Sequence, residues 1–155
     1  MTASTKDHAA IGAPMNDETS EAAIRDLLAR FVAAVCAKDL EAMLACTGPA
    51  IATFDVGAPL QNKGPFAVRK LWKDTVEAYE TIEYAMYKLD VFTGGDVGFS
   101  RSMNTFGGKQ AGAHSVVTLQ STLGFQRIAG EWKIVHEHAS MPFDAAMKAL
   151  TSLPV

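Results

Sequence analysis

The stretch Gly130-Glu131-Trp132-Lys133-Ile134-Val135-His136-Glu137-His138-Ala139-Ser140-Met141-Pro142 decides how this chain is read. In an extended strand alternate side chains share a face, so Trp132, Ile134, His136, His138 and Ser140 fall together. Apolar residues lead and imidazoles follow, the pattern of a strand that runs from a core into a pocket. Ala129-Gly130 supplies a two-residue turn ahead of it, with a glycine where a positive φ is needed. Across that turn, Ser115 to Ile128 is expected to pair antiparallel. Unbroken pairing sets Arg127 opposite Trp132, Phe125 opposite Ile134, Leu123 opposite His136 and Ser121 opposite His138. Both histidines then lie on the face that packs against helices, while Lys133, Val135 and Glu137 lie on the other. Arg127 becomes a cover over Trp132. A slip of one residue on either strand reverses the assignment.

Working outward, Thr81 to Thr93 and Asp96 to Phe106 flank Gly94-Gly95, a second hairpin signal. Gly107 to Gly112 is a flexible connector; it precedes a strand rather than a helix and so cannot cradle a phosphate. Towards the N-terminus the period becomes helical. From an N-cap at Asp17 or Thr19, Ile24, Leu27, Leu28, Phe31, Val32 and Val35 form one apolar stripe. Asp39 caps a short second helix carrying Leu40, Met43 and Leu44, ended by Gly48-Pro49. Ala50 to Asp55 is a short strand closed by the turn-rich Val56 to Pro59. Gly64-Pro65 opens a third helix with Val68, Leu71, Trp72, Val76 and Tyr79 on one face. Residues 1–16 read as a loose arm, 17–143 as a single domain and 144–155 as a C-terminal helix or tail.

At 155 residues the chain has the length of one ordinary domain, and its 48% hydrophobic and 20% charged residues are those of a globular protein. Lysine and arginine number 14 against 17 acidic residues, without a basic cluster, so nucleic acid is excluded as an expected partner. No apolar run approaches the roughly 20 residues of a membrane helix. Without a signal-like start, and with Cys36 and Cys46 both in helical stretches where they read as small buried thiols, the expected setting is cytoplasmic.

Helices followed by strands argue an α+β architecture, with helices laid on a strongly curved, largely antiparallel sheet that encloses a cone-shaped pocket. Phe54-Asp55-Val56-Gly57-Ala58-Pro59-Leu60, the helix around Val68-Arg69-Lys70-Leu71-Trp72, and the Trp132 to Phe143 ending together resemble the SnoaL-like, ketosteroid-isomerase-like branch of the nuclear transport factor 2 superfamily. The resemblance spans roughly Glu18 to Phe143. It implies a dimeric α+β cone with a deep pocket, joined here through the outer sheet face. It also implies chemistry in which a pocket aspartate moves a proton while a tyrosine and a protonated acid hold an oxyanion. Asp55 is the positional candidate for that base; the oxyanion pair has no residue-by-residue match.

Two readings of function stay open. One is an isomerase, cyclase or hydratase that transfers a proton next to a carbonyl, with Asp55, His136 and His138 as catalytic residues and Trp72, Tyr87, Arg101, Leu123 and Ser140 around the substrate. The other is a non-catalytic binder of a small apolar molecule with a carbonyl or acid group, or a dimeric assembly module. Histidines two apart on one strand can share a metal ion, but a third ligand is required and only Asp55 is left to supply it, so neither metal nor cofactor is expected.

Overall fold

In a computed structural model, which describes residues 17–144, Asp17 caps α1 (Glu18–Cys36) by accepting from the Thr19 amide at 3.2 Å. The arm assigned above to 1–16 lies outside the described residues, as does the tail assigned to 144–155 beyond Asp144. Asp39 caps α2 (Leu40–Ala45) through the Ala42 amide at 3.0 Å. The chain then enters β1 (Thr47–Phe54), so Gly48-Pro49 belongs to a strand instead of closing the helix as expected. After β2 (Asn62–Lys63), Pro65 starts α3 (Pro65–Ala78) at a position where its missing N–H costs nothing. Four long strands follow: β3 (Thr81–Gly94), β4 (Val97–Gln110), β5 (Ala113–Ile128) and β6 (Glu131–Ser140).

These strands form one six-stranded sheet in the order β2-β1-β6-β5-β4-β3. Every neighbouring pair is antiparallel except β1 with β6, which makes the sheet mixed. Ile24, Leu27, Leu28 and Phe31 of α1 are buried with Leu123, Phe125 and Ile134 of β5 and β6, each contributing about 1.5–3 kcal/mol of apolar burial. Arg127 bonds the Ser20 hydroxyl and lies 4.8 Å over the Trp132 ring, tying the start of α1 to the last hairpin. Leu123, expected at the substrate, belongs to this core and is 1% exposed.

The stretch 107–112 is not a loose connector. Gly107 and Gly108 continue β4, held between Val116 and Ser115 on one side and Glu83 and Ile82 on the other, and the turn falls at Ala111-Gly112. The first hairpin turns one residue later than expected, at Gly95-Asp96, with Gly94 opposite Val97.

The decisive departure lies between β5 and β6. Pairing runs as expected from Ile128 opposite Glu131 to Phe125 opposite Ile134, but the next partners are Gly124 with His136 and Leu123 with Glu137. Val135 and His136 together oppose Gly124, a β-bulge that inserts one residue into β6. From there every side chain changes face: Glu137, Ala139 and Met141 turn inward, and His136, His138 and Ser140 turn outward. Two contacts hold the bulge. His136 Nδ1–H donates to the Ala52 carbonyl on β1 at 3.0 Å, and Phe54 sets its ring edge-on to His136 and His138, with centroids 5.0 and 5.8 Å apart. Gly124 leaves room for them, since a Cβ there would stand 3.1 Å from His136 Cβ. Gly124→Val is therefore expected to cost about 1–2 kcal/mol by crowding His136, read as a lower urea midpoint at unchanged slope.

Candidate functional site

Between the inner sheet face, α1 and α3 lies a cavity of about 630 Å³. Its apolar wall is a belt of rings in successive contact. Trp72 of α3 meets Phe31 of α1 at 5.3 Å, Phe31 meets Tyr84 of β3 at 6.5 Å, Tyr84 meets Phe106 of β4 at 6.0 Å, and Phe106 meets Tyr79 at 5.5 Å. All five line the cavity.

Against this belt stand a few polar groups. Asp55 follows the last residue of β1, and with Val56, Gly57 and Ala58 it forms one lip. Glu137 enters from β6 because of the bulge. Water reaches it along the cavity, but protein surrounds it otherwise. That desolvation, with the Asp55 charge adding to it, pushes its carboxyl up to about 7. Asn104, 2% exposed, uses both ends of its amide: Oδ1 accepts from the Ser102 hydroxyl at 2.8 Å, and Nδ2 donates to Tyr84 Oη at 3.0 Å. The Tyr84 oxygen is thus occupied as an acceptor while its own proton stays available. Burial, then the neighbouring Glu137 and Cys36, raise its pKa above the usual tyrosine range, so the phenol stays protonated. Ser121, 5% exposed and lining the same space, has no hydrogen-bond partner for its hydroxyl among the described residues.

Of the residues expected at the site, Asp55 and Trp72 line this cavity. His136 and His138 do not; the bulge carries them to the outer face, where unbroken alternation had placed Glu137. Ser140 leaves with them, its Oγ 3.5 Å from Gln120. Arg101 also sits outside, paired with Asp90 at 2.9 Å and lying 5.5 Å over Phe92. Tyr87 pairs across the ladder with Met103 on that outer face, and Tyr84 is the tyrosine that turns inward. Cys36, read as buried, is exposed, and its Sγ lies 3.4 Å from the Tyr84 carbonyl oxygen; Cys46 is buried, which raises its thiol pKa. Both thiols are free.

Sequence reasoning missed Glu137, Tyr84, Asn104 and Ser121. For Glu137 a signal existed: a glycine inside a strand, Gly124, marks bulges. Among the described residues no group of three or more His, Cys, Asp or Glu side chains is arranged to hold a metal ion. No helix among them is long and apolar enough to cross a membrane.

No curated protein matches this sequence. Among solved structures, a nuclear transport factor 2-like protein of unknown function from Pseudomonas putida is 28% identical, with a TM-score of 0.80 over 88% of this chain and 97% of its own. A proposed dehydratase of the same family from Streptomyces avermitilis superposes with a TM-score of 0.70 at 18% identity, over 83% of this chain and 97% of its own. A nuclear transport factor 2 superfamily protein from Salmonella enterica gives 0.74 at 14% identity, over 82% and 94%. The SnoaL-like domain profile matches residues 24–144. The helices on a mixed, open sheet are the nuclear transport factor 2-like fold, and the chain belongs to the SnoaL-like domain family.

Proposed function

We propose that the chain is an enzyme that moves a proton at a carbon next to a carbonyl of a largely apolar small molecule. One observation carries the reading: a carboxyl poised near neutrality, Glu137, shares an apolar cavity with a phenol that keeps its proton, Tyr84. A base is most effective when its pKa lies near the working pH, and a preorganised donor in a water-poor site stabilises charge as it develops. In the step, ionised Glu137 takes the proton from the carbon, and the C–H electrons move into a carbon–carbon double bond as the carbonyl electrons move to oxygen. The Tyr84 hydroxyl donates a hydrogen bond to that oxygen, its position fixed by Asn104 and Ser102. Return of the proton to another carbon gives isomerisation; loss of a β-leaving group gives elimination. Asp55 acts on Glu137 by holding its pKa up, and so positions the base in pH.

The test is deuterium incorporation next to the carbonyl of cyclic ketones and dicarbonyl compounds in deuterium oxide, followed by mass spectrometry. Wild type is expected to exchange faster than buffer, and Tyr84→Phe is expected to slow exchange by about a hundredfold. Asp55→Asn, by removing a negative charge beside Glu137, is expected to move the limb near pH 7 to lower pH. Ketones that bind without exchanging would leave a binding protein instead.

A further inference from the structure

Charge is distributed unevenly over the cavity. Asp55, Asp74 and Glu137 all line it, and no lysine, arginine or histidine appears among the described residues that do. The nearest imidazoles, His136 and His138, are on the opposite sheet face, and Lys70 is spent on Asp74 across one turn of α3. The same lining carries five aromatic rings, whose faces attract cations through their quadrupoles. Ser121, whose buried hydroxyl has no hydrogen-bond partner among the described residues, lines the same space. An anion entering would meet Asp55 and Glu137 with no cationic residue beside them in the described lining; a cation would meet carboxylates and rings together. We propose, building on the proton-transfer reading of this cavity, that its substrate carries a protonated amine on an apolar body, with the ammonium held at the Asp55 lip and the body against the ring belt. Where the sequence suggested a carbonyl or acid group on a small apolar molecule, an ammonium takes the place of the acid.

The arrangement couples binding to protonation. Asp55 at the end of β1 and Tyr84 on β3 interact electrostatically with Glu137, and Asp74 of α3 lines the same cavity, paired with Lys70. An ammonium arriving among them favours the ionised form of Glu137, so binding should expel a proton near pH 7 and tighten as pH rises. The substrate would thereby lower the pKa of the base that acts on it.

Three probes with one aromatic body separate the possibilities by calorimetric titration of the full chain: naphthylethylamine, acetylnaphthalene and naphthylacetate. The amine is expected to bind at least about tenfold more tightly than the ketone, with the acid weakest. Its affinity should rise about tenfold from about pH 6 to about pH 8, with proton release seen as a dependence of the heat on buffer. Asp55→Asn, a change at an exposed lip, should cut amine affinity about tenfold, a larger fall than it causes in ketone affinity. A ketone that binds as tightly as the amine overturns the proposal and leaves proton transfer standing, since deuterium exchange reports on that separately. Amine binding that ignores both pH and Asp55→Asn overturns it too, by placing the amine elsewhere.

Discussion

Glu137→Gln is expected to make the protein more stable and inactive at once. Glutamine keeps the size of the side chain but neither ionises nor accepts a proton, so deuterium exchange should fall by about 10²–10⁴-fold, and the limb near pH 7 should vanish. Stability moves the other way. In the unfolded chain the carboxyl titrates near 4.5, and in the fold it is held up to about 7. A raised carboxylate pKa means that the folded state binds the proton more tightly. Stability is therefore full below about 4.5, declines as pH rises through the window up to about 7, and stays reduced above it. The glutamine variant has no such decline. Above pH 7 it should exceed wild type by about 2–3 kcal/mol, and near pH 4 the two should coincide. Urea unfolding at several pH values reads this directly. A merely structural role for Glu137 would give a loss of stability, and a solvated Glu137 would give no pH-dependent difference. Opposite signs for activity and stability are the signature of a group kept in an unfavourable place for its chemistry.

Gly108→Ala is expected to cause the largest loss of folding stability among the changes considered. Gly108 has φ +138°, and a Cβ there would overlap the Thr81 carbonyl oxygen on β3. Its neighbour Gly107 is as tightly enclosed by the backbone of Ser115 and Val116 on β5. Three strands thus approach one another where only backbone fits, and alanine must either strain φ or part β3 from β4. A cost of about 3 kcal/mol or more is expected, a fall of roughly 10 °C in Tm. Thermal unfolding followed by circular dichroism measures it. Because Phe106 and Tyr84 close the cavity just inside this point, the variant should also bind cavity ligands more weakly at temperatures where it remains folded.

Caps, turns and periodicity were local enough to be legible. Asp17, Asp39 and Pro65 mark helix starts by side-chain chemistry that acts within one turn, and Ala129-Gly130 marks the last hairpin for the same reason. The inner face of β5 was also legible, since Leu123 and Phe125 alternate without interruption. What alternation could not carry was a count. The chain between Ile134 and Glu137 contains one residue more than its partner strand, and nothing within those residues announces it; the cause lies across the ladder at Gly124 and beyond it at Ala52. The parallel pairing of β1 with β6 was hidden for a similar reason, because it joins segments some 80 residues apart, as the bond between Ala52 and His136 does. Glycines 107 and 108 suggested freedom by composition, yet they serve close packing between backbones. Asp55 was legible because it ends a strand. Tyr84, Asn104 and Ser121 were not, because inward polar residues on long strands look like outward ones until the face is known.

The extra residue in β6 has a consequence for comparisons between this chain and its kin. Set column against column, His136 and His138 will match any relative with a histidine-x-histidine ending, yet in a relative without the bulge those histidines face its interior. The gap belongs opposite Val135. Placed there, the column of Glu137 meets the other protein's inward-facing residues; left out, the comparison would set those residues against a pair of imidazoles that lie on the outer sheet face.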